Sequence, residues 1–152
     1  MNAMAPQTRP ELTIRRKFSA PRGLVFRAWT DPDQLKLWCC PTGFTIPHSE
    51  ADIRIGGDYR SCMRSPEGDE YWTGGTYLEI VPDEKVVFTH SWLDDAGQKT
   101  HDTTVTVTLT DAEGGGTSLT LHQSFFLSES ARDGHEEGWN STLDALSEYL
   151  AK

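Results

Sequence analysis

Leu12, Ile14 and Phe18 alternate with charged residues, a period of two that predicts a first strand with one buried face. Pro21 then opens a helical stretch in which Val25, Phe26 and Trp29 recur at i, i+1 and i+4, stopping near Thr30-Asp31-Pro32. Asp31 and Pro32 suit the cap and first position of a second short helix carrying Leu35 and Trp38. From Thr45 to Gln123 the pattern changes to short β-branched and aromatic runs separated by turn residues, which predicts an antiparallel meander. The strands fall near 45–53, 58–64, 71–81, 85–92, 103–111 and 116–125, with turns such as Gly56-Gly57-Asp58 and Pro82-Asp83-Glu84 between them.

After Phe126 the period shifts once more. From Ser130, with a Ser130-x-x-Asp133 capping pattern, the chain reads as one long helix. Its apolar stripe is Trp139, Leu143, Leu146 and Leu150, at i, i+4, i+7 and i+11. Gly134 and Gly138 each cost about 1 kcal/mol relative to alanine in a helix interior. They either permit close approach to the strands or leave space beneath the helix. The pattern therefore predicts an α+β domain over residues 11–152, preceded by a mobile leader at 1–10. Its architecture is a curved antiparallel sheet of about seven strands around a long C-terminal helix, with two short helices after strand 1. A sheet curled around one helix rarely closes fully, and the gap is the natural place for a ligand.

Composition narrows the function classes. Fourteen basic and 23 acidic residues among 152 give a net charge of −9, which repels a phosphate backbone and argues against nucleic acid. The local cluster Arg15-Arg16-Lys17 is split between two strand faces. No run approaches the roughly 18 apolar residues of a membrane span. Three cysteines with no secretory signal ahead of them favour a reducing cytoplasm. Cys39 and Cys40 are adjacent, so their side chains point apart, and with Cys62 they lack the paired spacing of a zinc site. A bridge between neighbours would be strained, and no metal or cofactor is expected.

Several pieces of sequence, in this order and spacing, resemble a known family. They are Phe26-x-x-Trp29-Thr30-Asp31-Pro32 with Leu35-x-x-Trp38, and Asp52-x-Arg54-x-Gly56-Gly57-x-Tyr59-Arg60. Further along come Gly75-x-Tyr77-x-Glu79-Ile80-x-Pro82, Phe88-Thr89-x-x-Trp92, Gly116-Thr117-x-Leu119-x-Leu121 and Gly138-Trp139-x-x-x-Leu143-x-x-Leu146. From about Leu12 to Leu150 the chain resembles the activator of heat-shock protein 90 ATPase homologues, within the helix-grip, START-like superfamily that includes the birch-pollen allergen type. Where that family carries a Trp-Trp-Gly-Pro-like stretch, this chain has Trp38-Cys39-Cys40-Pro41, so the thiols read as local substitutions in an unaltered turn.

The resemblance implies a bacterial, cytoplasmic protein built around a cavity for a small hydrophobic molecule, aromatic or lipid-like. It also implies a chaperone partner in a stress response as an alternative, a cyclase or aromatase activity as a third reading, and room for a homodimer. The residues expected to line the cavity are Trp38, Tyr59, Met63, Trp72, Phe88, His90, Trp92, Phe125, Trp139 and Leu143. Catalysis is not the leading reading. Were there any, His90, Arg54 and Tyr59 are the nominees, because Val86, Phe88, His90 and Trp92 share one strand face that points into the space under the helix. His48, His101 and His122 read as surface residues.

Overall fold

The computed structural model describes residues 9–151; residues 1–8 of the expected leader lie outside the described residues. Strand β1 (Leu12–Phe18) is followed by helices α1 (Arg22–Thr30) and α2 (Pro32–Trp38). Strands β2 (Thr45–Ala51), β3 (Asp58–Arg64), β4 (Glu70–Val81), β5 (Lys85–Trp92), β6 (Thr103–Asp111) and β7 (Thr117–Ser124) lead to α3 (Glu129–Leu150). The seven strands form one antiparallel sheet in the order β1-β7-β6-β5-β4-β3-β2. Register shifts between Thr45 and His48 and between Tyr77 and Glu79 bend the strands, and bending lets the sheet curl over α3.

Local chemistry sets the boundaries. Asp31 caps α2 by accepting from the Asp33 amide at 3.0 Å, with Pro32 in the first turn, as the sequence predicts. The cap of α3 is Ser128 rather than Ser130: its hydroxyl accepts from the Ala131 amide at 3.0 Å, and the helix starts two residues earlier than the capping pattern indicates.

At 22 residues, α3 is about 33 Å long and crosses the whole sheet. Its C-terminal half plugs one end of the fold. There Leu143 and Leu146 are fully buried with Val25, Ala28, Val105, Val107, Leu119 and Leu121. Each of these valine and leucine side chains contributes about 1.5–3 kcal/mol by leaving water. The flank is pinned by Arg16, the inward member of the basic cluster, which reaches Asp144 at 2.8 Å and the Asn140 carbonyl at 3.0 Å. Tyr149 donates to the Gln34 side chain at 3.0 Å and ties the helix end to α2.

On the concave face one glycine decides the packing. A Cβ on Gly75 would sit 1.9 Å from the Thr89 carbonyl oxygen and 2.7 Å from the Tyr59 ring. Its absence lets Tyr59 lie across β4 and donate to that same Thr89 oxygen at 2.8 Å. Gly75→Ala is therefore expected to lower stability by about 1–3 kcal/mol through overpacking, read as a drop in urea midpoint at unchanged slope. An unchanged midpoint would show that Tyr59 does not need this crossing.

Candidate functional site: a cavity beneath the terminal helix

Between the sheet and the N-terminal half of α3 lies a cavity of about 660 Å³. The helix presents small side chains above it: Ala131, Gly134, Gly138 and Thr142 all line the space. A Cβ on Gly134 or Gly138 would meet nothing within 4 Å, so of the two roles open to these glycines the structure shows the second: they leave room beneath the helix. Below, the inward phases of β3, β4 and β5 supply Tyr59, Met63, Tyr71, Tyr77, Phe88, His90 and Trp92. Tyr71, Trp92 and Leu127 remain exposed and form the rim.

Six of the ten expected lining residues stand at the cavity: Tyr59, Met63, Phe88, His90, Trp92 and Trp139. Four do not. Trp38 is buried behind the wall, edge-on to Trp29 at 4.7 Å, with its indole N–H donating to the Ala28 carbonyl. Leu143 belongs to the solid plug at the far end. Trp72 is on the outer face, because β4 alternates and Tyr71, Thr73 and Tyr77 take the inward phase. It lies under the Arg60 guanidinium at 4.5 Å and against His48 at 5.3 Å. Phe125 has a positive φ of 74°, which breaks the alternation after β7; it is 54% exposed, and Phe126 turns inward in its place.

The sequence reading missed Trp29, Tyr77, Phe126 and His135. Trp29 packs against Trp139 at 6.0 Å and its indole N–H is buried with no partner among the described residues. His135 was legible in principle. It lies four residues before Trp139, on the backward extension of the apolar stripe, but its neighbours Asp133, Glu136 and Glu137 disguise the face.

A buried hydrogen-bond chain holds the roof. Trp139 donates to the Gln123 side-chain oxygen at 2.7 Å, Gln123 donates to Thr103 Oγ1 at 2.8 Å, and Thr103 donates to the His90 carbonyl at 2.8 Å. His101, expected at the surface, also reaches the lining and hydrogen-bonds the Phe125 carbonyl. His48 pairs with Glu50 at 3.4 Å and His122 with Glu11 at 3.5 Å, both on exposed strand surface.

Burial governs the titratable groups. It pushes the Tyr59 phenol well above its ordinary value and Tyr77 further from neutrality in the same direction. Burial, helped by Cys40, pushes the Cys39 thiol up to about 12, so it is not a nucleophile at neutral pH. His90 is lowered to about 3 by burial and then by His135, which burial lowers too. Arg54 lies away from the cavity, in an exposed pair with Asp52 at 2.8 Å. All three thiols are unpaired, and no cluster of three metal-ligating side chains occurs among the described residues.

A seven-stranded antiparallel sheet curled over a long terminal helix, with an aromatic-walled hollow between them, defines a helix-grip protein. The chain belongs to the family described as Activator of Hsp90 ATPase homolog 1-like protein, whose sequence profile matches residues 19–151. Among solved structures, a protein from Chromobacterium violaceum is 31% identical, with a TM-score of 0.83 over 93% of this chain and 97% of that one. The AHSA1 protein from Silicibacter pomeroyi is 27% identical, with a TM-score of 0.84 over 93% and 98%. A protein from Nitrosomonas europaea is 28% identical, with a TM-score of 0.78 over 93% and 94%. No curated protein sequence matches.

The depressed His90 value has a consequence for stability. Between pH 6.5 and about 3 the unfolded chain binds a proton at His90 that the native chain refuses, so this contribution is complete above 6.5 and is lost as pH falls. Its slope is at most about 1.4 kcal/mol per pH unit. Urea unfolding between pH 7 and 4 should therefore show wild type losing stability more steeply than His90→Phe. Parallel slopes would mean that His90 is not held neutral.

Proposed function

We propose that the protein binds a small apolar, aromatic molecule in the hollow between the concave sheet face and α3. The observation that carries this reading is the pair of glycines over an aromatic-walled space of about 660 Å³, a size usual for small-molecule pockets. Two glycines in one helix cost about 2 kcal/mol relative to alanine, and here they keep volume open that larger side chains would fill.

The family description supports a second reading, stimulation of a chaperone ATPase. It ranks lower because it leaves the hollow unexplained. Acid–base turnover ranks lower still: Tyr59 is held protonated and His90, with a value of about 3, is a weak base. The unpaired thiols support a reducing, cytoplasmic setting.

Gly138→Leu separates a binding site from a packing defect. The new side chain enters open space, so helix stability should rise by about 0.5–1 kcal/mol while ligand affinity falls at least tenfold. Affinity is read by titrating a panel of aromatics and lipids against tryptophan fluorescence, since Trp29, Trp92 and Trp139 line the space. A wild-type protein whose fluorescence and melting temperature respond to none of the panel would refute the reading.

A further inference from the structure

One wall of the cavity is a nest of four rings. His135 is 5.4 Å from His90, 5.7 Å from Trp92 and 4.9 Å from Phe126, measured between ring centroids. His135 Nδ1 lies 2.8 Å from the Ala131 carbonyl oxygen one turn earlier in α3. A carbonyl only accepts, so Nδ1 carries the proton and Nε2 of the neutral ring is a bare acceptor. That Nε2 is buried and has no hydrogen-bond partner among the described residues. A buried acceptor left unpaired lowers stability until something donates to it, and two of the surrounding rings, Trp92 and Phe126, lie tilted against the imidazole at 49° and 50°.

We propose that the cavity's occupant is an aromatic molecule with one uncharged hydroxyl, of the phenol or naphthol class, whose O–H donates to His135 Nε2 while its ring lies among Trp92, Phe126 and His90. This rests on reading the cavity as a small-molecule site and names the chemistry that site selects. Because Nε2 is buried, admitting the hydroxyl requires a neighbouring ring to shift, and Trp92, 37% exposed at the rim, has the room to do so. A hydrocarbon of the same shape leaves Nε2 unpaired. A carboxylate has no proton to offer and needs an imidazolium, which burial disfavours in both histidines. A primary ammonium loses its hydration among rings that give it one acceptor.

The test compares 2-naphthol, 2-methoxynaphthalene and 2-naphthoate on wild type and His135→Phe, with dissociation constants from tryptophan quenching. Calorimetry in two buffers of different ionisation enthalpy counts protons. Wild type should bind 2-naphthol about tenfold more tightly than its methyl ether, with no proton taken up. His135→Phe keeps the ring, removes the acceptor and should reduce that ratio to about one. The ligand ratio in wild type decides the matter even if the variant fails to fold. Equal affinities in wild type, a preference that survives in a folded His135→Phe, or tighter naphthoate binding with proton uptake would each overturn the hydroxyl assignment while leaving the cavity a binding site. Failure of all three ligands to bind would overturn both.

Discussion

The hydrogen-bond chain from Trp139 through Gln123 and Thr103 to the His90 carbonyl is the constraint on which this fold depends. Elsewhere α3 is held by close packing, but over the cavity there is little to pack against, so direction must come from hydrogen bonds. Gln123 is fully buried, and its amide is satisfied in only one orientation: its oxygen accepts from the indole and its nitrogen donates to Thr103. That single orientation links α3 to β7, β6 and β5. It also aims Trp139 across the roof and gives the side-chain nitrogen and oxygen of Gln123 a partner each.

Given that clamp, the helix divides its labour along its length. The Leu143–Leu146 half closes the fold against β1, β6 and β7, while the Ala131–Thr142 half stands above open space. The stripe of small residues is destabilising as helix sequence and weak as packing sequence. A chain shaped by stability alone would place alanine or leucine there. The cost is local because Arg16 and Tyr149 fasten the other half independently.

Most of the architecture was legible because strand alternation and helix periodicity are properties of residue type. Three of the meander strands, 58–64, 85–92 and 103–111, begin and end where their patterns do. What was illegible arises from single backbone angles and from phase. Phe125 continues the inward alternation of Thr117, Leu119, Leu121 and Gln123 on paper, and only its left-handed φ hands the inward position to Phe126. Trp72 invites an inward assignment by its size, yet a strand that turns Tyr77 inward must turn Trp72 out. Trp38 and Leu143 are as buried as expected, but burial and cavity exposure look alike in sequence: both ask for large apolar residues. His135 shows the converse, a polar residue on the inward stripe of a helix segment dominated by charge.

The electrostatics of the interior follow from the same burial. Every titratable group with a resolved shift along the cavity moves toward its neutral form, histidines downward and tyrosines and Cys39 upward, with burial the first cause in each. Glu50, the carboxylate along the lining, is exposed and turned toward His48. Burial thus favours the neutral form of Cys39, Tyr59, Tyr77, His90 and His135 along the wall, inside a protein of net charge −9. An anionic guest meets repulsion outside and no counter-charge within, and a cationic guest is attracted to the shell but loses its hydration at the wall. Both penalties vanish for a neutral molecule, so on the proposed reading the apolar wall favours an uncharged guest before any individual hydrogen bond is made.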